Sequence, residues 1–328
     1  MNILLIGLGS IGKRHLRNIL SLGYTNVSVV SASIKTIDEF KNVCFFSTIE
    51  DAFVEHKFDA AFICSPTACH IKQLIVLLQK QVRSIYIEKP LSNSLENLDL
   101  ILKLINPSSP NIVVGYDLHF DPGIQRVKKW IQEDKIGKVV SANAFVGQYL
   151  PQWRPYEDHR RGMSAKKETG GGVMLDLIHE VDYLYWLFGN AETVACNYIN
   201  TGELEIETEE AAEMLLKFSN GVMATIHLDY WQPVLKRFCI FTGTKGTIHL
   251  DLAVQEVTIT SIQGEQEVFS YQSFNRNAKF VSIVKTFLED VNDERLTKLP
   301  EAIESLKIVL AAKQAAENDG VVKMDNDK

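Results

Sequence analysis

Long apolar runs are missing from this chain of 328 residues. No stretch approaches the roughly 20 continuous apolar residues that a membrane-spanning helix needs, so no membrane span is expected. The opening run 1–6 is apolar, but Gly7 and Gly9 interrupt it. Lys13-Arg14 then stands where a signal peptide would carry its apolar core. No secretory leader is expected, and the expected compartment is the cytoplasm. Cysteine is sparse: Cys44, Cys64, Cys69, Cys196 and Cys239 are scattered, and none forms a Cys-x-x-Cys pair. Neither a zinc site nor a redox dithiol is indicated, and no metal site is expected. Basic charge is in deficit, with 34 Lys and Arg against 41 Asp and Glu, a net charge of −7. Such a chain is a poor candidate for nucleic-acid binding, which needs a positive surface to meet phosphate.

What is present reads as two domains, at about 150 residues each. Residues 1–118 alternate short apolar runs with helical stretches. Ile3–Ile6, Val27–Val30, 59–64, Ser84–Ile87 and 112–115 are strand candidates, and 11–22, 48–55, His70–Gln79 and 95–105 are helix candidates. This alternation predicts an α/β fold with a doubly wound parallel sheet. Residues 119–328 differ in texture. A helix is expected at 123–133, a strand at 139–146, an irregular loop at 148–167 and a helix at 172–188. Strand-like segments follow at 192–199, 212–218, 222–230 and 237–242, with Asn220-Gly221 as the sharpest hairpin signal. They predict an α+β domain with an open, largely antiparallel sheet. Helices at 279–290 and 300–316 and a frayed polar tail at 318–328 complete the expectation.

Gly7-Leu8-Gly9-Ser10-Ile11-Gly12 matches G-x-G-x-x-G between a buried strand and a helix. In that setting Gly7 allows a tight turn, Gly9 admits the pyrophosphate, and Gly12 lets the helix approach closely. The helix start, with Ser10 and Ile11, offers free N–H groups to phosphate. The second strand would normally end in an acid that binds the adenosine ribose. Here the stretch reads Val30-Ser31-Ala32-Ser33, with Lys35 beyond and no acid. Ser31 is the candidate ribose contact, and the missing carboxylate leaves NADP open beside NAD.

Three further segments sharpen the reading: Cys64-Ser65-Pro66-Thr67 with His70, Glu88-Lys89-Pro90-Leu91, and Gly170-Gly171-Gly172 leading to Asp176, His179 and Asp182. Together with Gly-Ser-Ile-Gly-Lys-Arg-His at 9–15, they resemble the glucose–fructose oxidoreductase / inositol dehydrogenase / MocA (Gfo/Idh/MocA) family, from residue 1 to about residue 189. The resemblance implies a Rossmann domain followed by an open-faced sheet domain. It also implies a homo-oligomer, dimer or tetramer, formed through that sheet. It places Ser65, Pro66, His70, Glu88 and Lys89 along a nicotinamide dinucleotide, NAD or NADP, with a Lys89–Pro90 bond that is often cis. Lys89, Tyr116, Asp176 and His179 are implied to face the substrate, and His179 to move the proton. Two departures stand out. Two residues rather than three separate Asp176 from His179, and His119 occupies a position where relatives often carry Arg.

The implied chemistry is hydride transfer between nicotinamide and a hydroxyl-bearing carbon of a sugar or sugar derivative. Histidine suits the base, since its ordinary pKa lies near working pH. Lys89 would stabilise a developing alkoxide, Asp176 would orient the imidazole, and Asp182 has a structural place one turn on. Arg154, Arg160 and Arg161 form a cationic loop, read either as a solvated surface or as a lid for an anionic or nucleotide-linked sugar. Two rival readings stay open here: a non-catalytic dinucleotide sensor, and a cofactor-recycling glycosidase of the same fold.

Overall fold

A computed structural model of the chain describes residues 1–32, 38–105 and 110–324. It divides into two compact units: 1–117 with 276–303, and 118–275 with 304–328. Residues 276–303, expected with the C-terminal part of the chain, group with the first unit. The reason lies in helix Arg276–Glu289, whose Phe287 ring sits 5.2 Å from Phe62 and 5.6 Å from Tyr86 on the first sheet.

In the first unit the described strands form one sheet. Its order is Thr297–Lys298, Asn111–Val114, Ser84–Ile87, Ala60–Ile63, Ile3–Ile6, Val27–Val30 and Cys44–Phe46. All pair in parallel except Thr297–Lys298, which adds antiparallel at the edge. The four central strands are short and almost wholly buried, as apolar runs covered on both faces should be. Strand order reverses between Ile3–Ile6 and Ala60–Ile63, the switch point at whose carboxyl ends ligands settle in such sheets. Helix Ile49–Glu55 starts where Thr48 accepts from the Asp51 N–H, a side-chain cap. Ser33 and Lys35 lie outside the described residues.

In the second unit, the described strands make a sheet of order Gln266–Ser270, Glu256–Ser261, Gly246–Asp251, Lys236–Gly243, Val139–Gly147, Met223–Asp229, Ala211–Phe218, Ala191–Ile199 and Val321–Lys323. Val139–Gly147 and Met223–Asp229 run parallel; the other neighbours are antiparallel. Asn220-Gly221 forms the expected turn, with Gly221 at φ +88° and Asn220 Oδ1 accepting from the Val222 N–H at 3.1 Å. Burial alternates along Ala211–Phe218, so one face is covered and the other open.

Three sequence expectations change. The helix expected over 172–188 is interrupted: Val173–Asp176 ends at Leu177 (φ −104°, ψ 27°), and a new helix runs His179–Phe188. The tail does not fray throughout, because Val321–Lys323 pairs with Ala191–Ile199, an edge strand whose ladder groups it satisfies. The loop 148–167 contains short 3-10 turns at Leu150–Gln152, His159–Arg161 and Met163–Ala165. Among the described residues, no helix is long and apolar enough to cross a membrane.

Candidate functional site

The phosphate loop takes its shape from contacts that exclude side chains. Gly7 sits at φ +93°, and a Cβ there would lie 2.6 Å from the Ser65 backbone nitrogen. A Cβ on Gly12 would meet the Gly7 carbonyl oxygen. Gly9 is different: it has extended backbone angles, and a Cβ there would meet nothing within 4 Å. Open space thus lies above Gly9, at the start of helix Ser10–Ser21, which has no acidic residue in its first turn and no side-chain cap. Its first N–H groups and its dipole favour an anion there.

Next to the loop stand the turns that leave the strands Ala60–Ile63 and Ser84–Ile87. Glu88 is buried and acts as a hub. His15 Nε2 lies 2.5 Å from its Oε1, the Tyr86 hydroxyl donates to the same oxygen at 3.3 Å, and the Lys89 N–H donates to Oε2 at 3.2 Å. The Lys89–Pro90 peptide is cis. His70 is buried, with Nδ1 3.0 Å from the Pro90 carbonyl oxygen and Nε2 2.9 Å from that of Ser65. Burial pulls its pKa below the ordinary histidine value. Ser31 is buried at the end of Val27–Val30, its N–H donating to the Phe46 carbonyl. Tyr116 is fully buried beyond Asn111–Val114.

The second unit carries Asp176 and His179. Gly172, at φ +110°, opens the segment, and a Cβ there would collide with the Glu209 carboxylate. Asp176 ends the short helix and His179 begins the next, both buried. The Tyr230 hydroxyl donates to Asp176 Oδ2 at 2.7 Å. Burial, and then the Asp176 charge, hold the Tyr230 pKa well above its ordinary value, so the phenol stays a donor. Sequence reading missed Tyr230, because it lies 54 positions from Asp176, just past a strand, with no local signature. Behind His179, Glu180 receives a bidentate pair from Arg237 at 2.7 and 3.0 Å. One turn on, Asp182 pairs with His119 at 2.9 Å, and the His119 ring stacks on Trp186 at 4.1 Å. His119 is thus a buried partner of the helix that His179 opens.

The cationic loop is largely self-neutralised. Arg160 donates to Asp158 and to Glu205, each at 2.9 Å, and holds the Asp158 carboxyl down at about 2. Arg154 lies 3.7 Å from Glu157, and Arg161 lies 4.0 Å from Asp158 and is largely exposed. The charge the sequence offered to an anionic substrate is, at Arg160, already engaged by two carboxylates.

A model described as the oxidoreductase family, NAD-binding Rossmann fold, matches residues 1–116, and one described as the GFO/IDH/MocA C-terminal domain matches residues 124–249. The chain belongs to the Gfo/Idh/MocA oxidoreductases. An uncharacterized oxidoreductase of Bacillus subtilis, YrbE, is 29% identical over 75% of this chain and 72% of its own length. A myo-inositol 2-dehydrogenase of Thermotoga maritima is 24% identical over 99% of both chains. Among solved structures, the WlbA dehydrogenase of Bordetella pertussis in complex with NADH and UDP-GlcNAcA superposes with a TM-score of 0.81. That match has 22% identity and covers 100% of this chain and 98% of that one. As a Gfo/Idh/MocA member, the chain carries its NAD-binding domain in the first unit. The open space over Gly9 and the uncapped helix start fit the pyrophosphate of that cofactor.

Proposed function

We propose that this oxidoreductase interconverts a hydroxyl and a keto group on a sugar or sugar derivative, with NAD or NADP as the hydride partner. When bound, the nicotinamide supplies the hydride acceptor or donor. The remaining chemistry falls to side chains. His179 takes the hydroxyl proton as the carbon is oxidised. Asp176, fixed by Tyr230, orients the imidazole and compensates its charge. Lys89 stabilises oxygen as it becomes an alkoxide. The observation that carries this reading is the buried Asp176–Tyr230 hydrogen bond immediately before His179, a built carboxylate beside a histidine on a helix start. A relative named as a myo-inositol 2-dehydrogenase and a structural neighbour in complex with UDP-GlcNAcA support the sugar class. Ser31, Ser65, Pro66 and Glu88 line the cofactor in this reading, and Tyr116, Arg154 and Arg161 join the substrate side. The open sheet face of the second unit forms a homo-oligomer, and the protein works in the cytoplasm.

The test is a panel of polyols, aldoses and nucleotide sugars, followed by nicotinamide absorbance. With the substrate found, His179→Ala should lower kcat by about 10²–10⁴-fold. Cofactor binding without turnover anywhere on the panel would overturn the reading in favour of a sensor. Turnover of a glycoside without net change in NADH would point to the recycling glycosidase.

A further inference from the structure

Tyr230 reaches Asp176 from a turn, not from a strand. Strand Met223–Asp229 ends one residue earlier, and the chain bends there around the side chain of Asp229. Asp229 is buried, although His227 on the same face is partly open and Thr225 is exposed. Its Oδ1 accepts from the Trp231 N–H at 2.6 Å and from the Gln232 N–H at 3.0 Å, the pattern by which an aspartate side chain mimics a backbone turn. Its Oδ2 accepts from the Gln232 amide at 2.9 Å and lies 2.7 Å from His227 Nε2. The neighbouring strand makes room for this, since Gly147 stands opposite Asp229 and a Cβ there would strike the carboxylate. Burial pushes the Asp229 pKa up, but hydrogen bonds from His227, the Trp231 N–H and Gln232 outweigh it and hold the carboxyl below its ordinary value. The group therefore stays a charged acceptor.

The Tyr230 backbone is held on both sides as well. Its N–H donates to the Glu210 carbonyl at 2.9 Å, and its carbonyl accepts from the Leu150 N–H at 3.1 Å. We propose that Asp229 is a positioning residue for the reaction: its carboxylate folds the chain past the strand end so that the Tyr230 hydroxyl reaches Asp176. This inference rests on the reading of Asp176 and His179 given above. Asp229 touches neither substrate nor Asp176 in this account and acts only through its neighbour in the chain.

The experiment is a double-mutant cycle on the full chain, with kcat measured on whichever polyol, aldose or nucleotide sugar of the panel turns over. Asp229→Ala should lower kcat roughly tenfold, about the effect of one lost hydrogen bond to a charged group, and leave NADH affinity unchanged. Asp229→Asn keeps an oxygen for the two backbone N–H groups and should recover most of that loss. Asp229→Ala combined with Tyr230→Phe should be no slower than Tyr230→Phe alone, because the hydroxyl through which Asp229 acts is already gone. Should Asp229→Ala not fold, Asp229→Ser takes its place in the cycle, since a serine hydroxyl keeps such a turn more weakly. Losses that multiply in the double variant, or a kcat within about twofold of the unmodified protein in the single one, would overturn the proposal. Tyr230→Phe with unaltered kcat, or no turnover on the panel, would instead bring down the reading of Asp176 beneath it.

Discussion

The Tyr230 hydroxyl donates to Asp176 Oδ2 at 2.7 Å, and both groups are buried. A hydrogen bond to a charged acceptor contributes about 1.5–3 kcal/mol. Tyr230→Phe should therefore lower kcat by roughly one to two orders of magnitude, through an Asp176 that no longer holds its place. Cofactor affinity should not change, because the dinucleotide loop lies in the other unit. Steady-state kinetics beside calorimetric NADH binding checks both halves. A variant with unaltered kcat would show that the tyrosine merely fills space.

The glycines of the phosphate loop should respond differently to substitution. Gly9 has an ordinary extended backbone and free space at its Cβ position, so Gly9→Val should keep the fold and lose the cofactor. Gly7→Ala should damage the loop itself, since φ is +93° and the new methyl would strike Ser65. Calorimetry with NADH should thus find both variants weak, but only Gly7→Ala with a lowered melting temperature. Normal NADH binding by Gly9→Val would show that no pyrophosphate passes over it.

Arg237 supports the helix that begins at His179. Its guanidinium is only partly buried, whereas its partner Glu180 is fully so. Removing one member of such a pair strands the other, at a cost of about 3–5 kcal/mol. Arg237→Met should lose about that much in urea unfolding, and the double variant Arg237→Met with Glu180→Leu should recover most of it. A double variant no more stable than the single would locate the damage in packing rather than in the uncompensated carboxylate.

On the sheet of the second unit, His227 lies between Glu213, at 2.5 Å, and Asp229, at 2.7 Å, and stacks on Phe145. The hydrogen bond to Asp229 raises its pKa most, against the opposing pull of burial, with Glu213 adding to the rise. A raised folded-state pKa means that this stabilisation is complete below the unfolded value of about 6.5 and is lost as pH rises through the higher folded value. The urea midpoint should therefore decline from about pH 6.5 upward, and His227→Gln should flatten that decline. Parallel pH profiles for the two proteins would remove His227 from the account.

The first unit was legible because its signals are local. A buried strand, a glycine loop and a helix follow one another within 21 residues, and four-residue apolar runs need no distant partner to be recognised as buried parallel strands. Lys89, Asp176 and His179 stand out as candidates through the company they keep in the chain. The second sheet was less so. Gly246–Asp251, Glu256–Ser261 and Gln266–Ser270 are short strands of mixed polarity, and only their pairing with one another reveals them.

By itself, then, the sequence determined where backbone must come close to backbone, since a missing side chain at Gly7 or Gly12 is a property of one residue. It also determined which chemical groups are available, but not which of them are already engaged. The Arg160 guanidinium looks like a free cation in the sequence and is held by Asp158 and Glu205 in the structure, the latter 45 positions away. Tyr230 looks like a strand-end aromatic until it meets Asp176. The fold also decided that residues 276–303 belong with the first unit, because Phe287 completes the aromatic packing around Phe62 and Tyr86. Those outcomes depend on desolvation and on the distance between groups remote in the chain, and periodicity along the chain carries neither quantity.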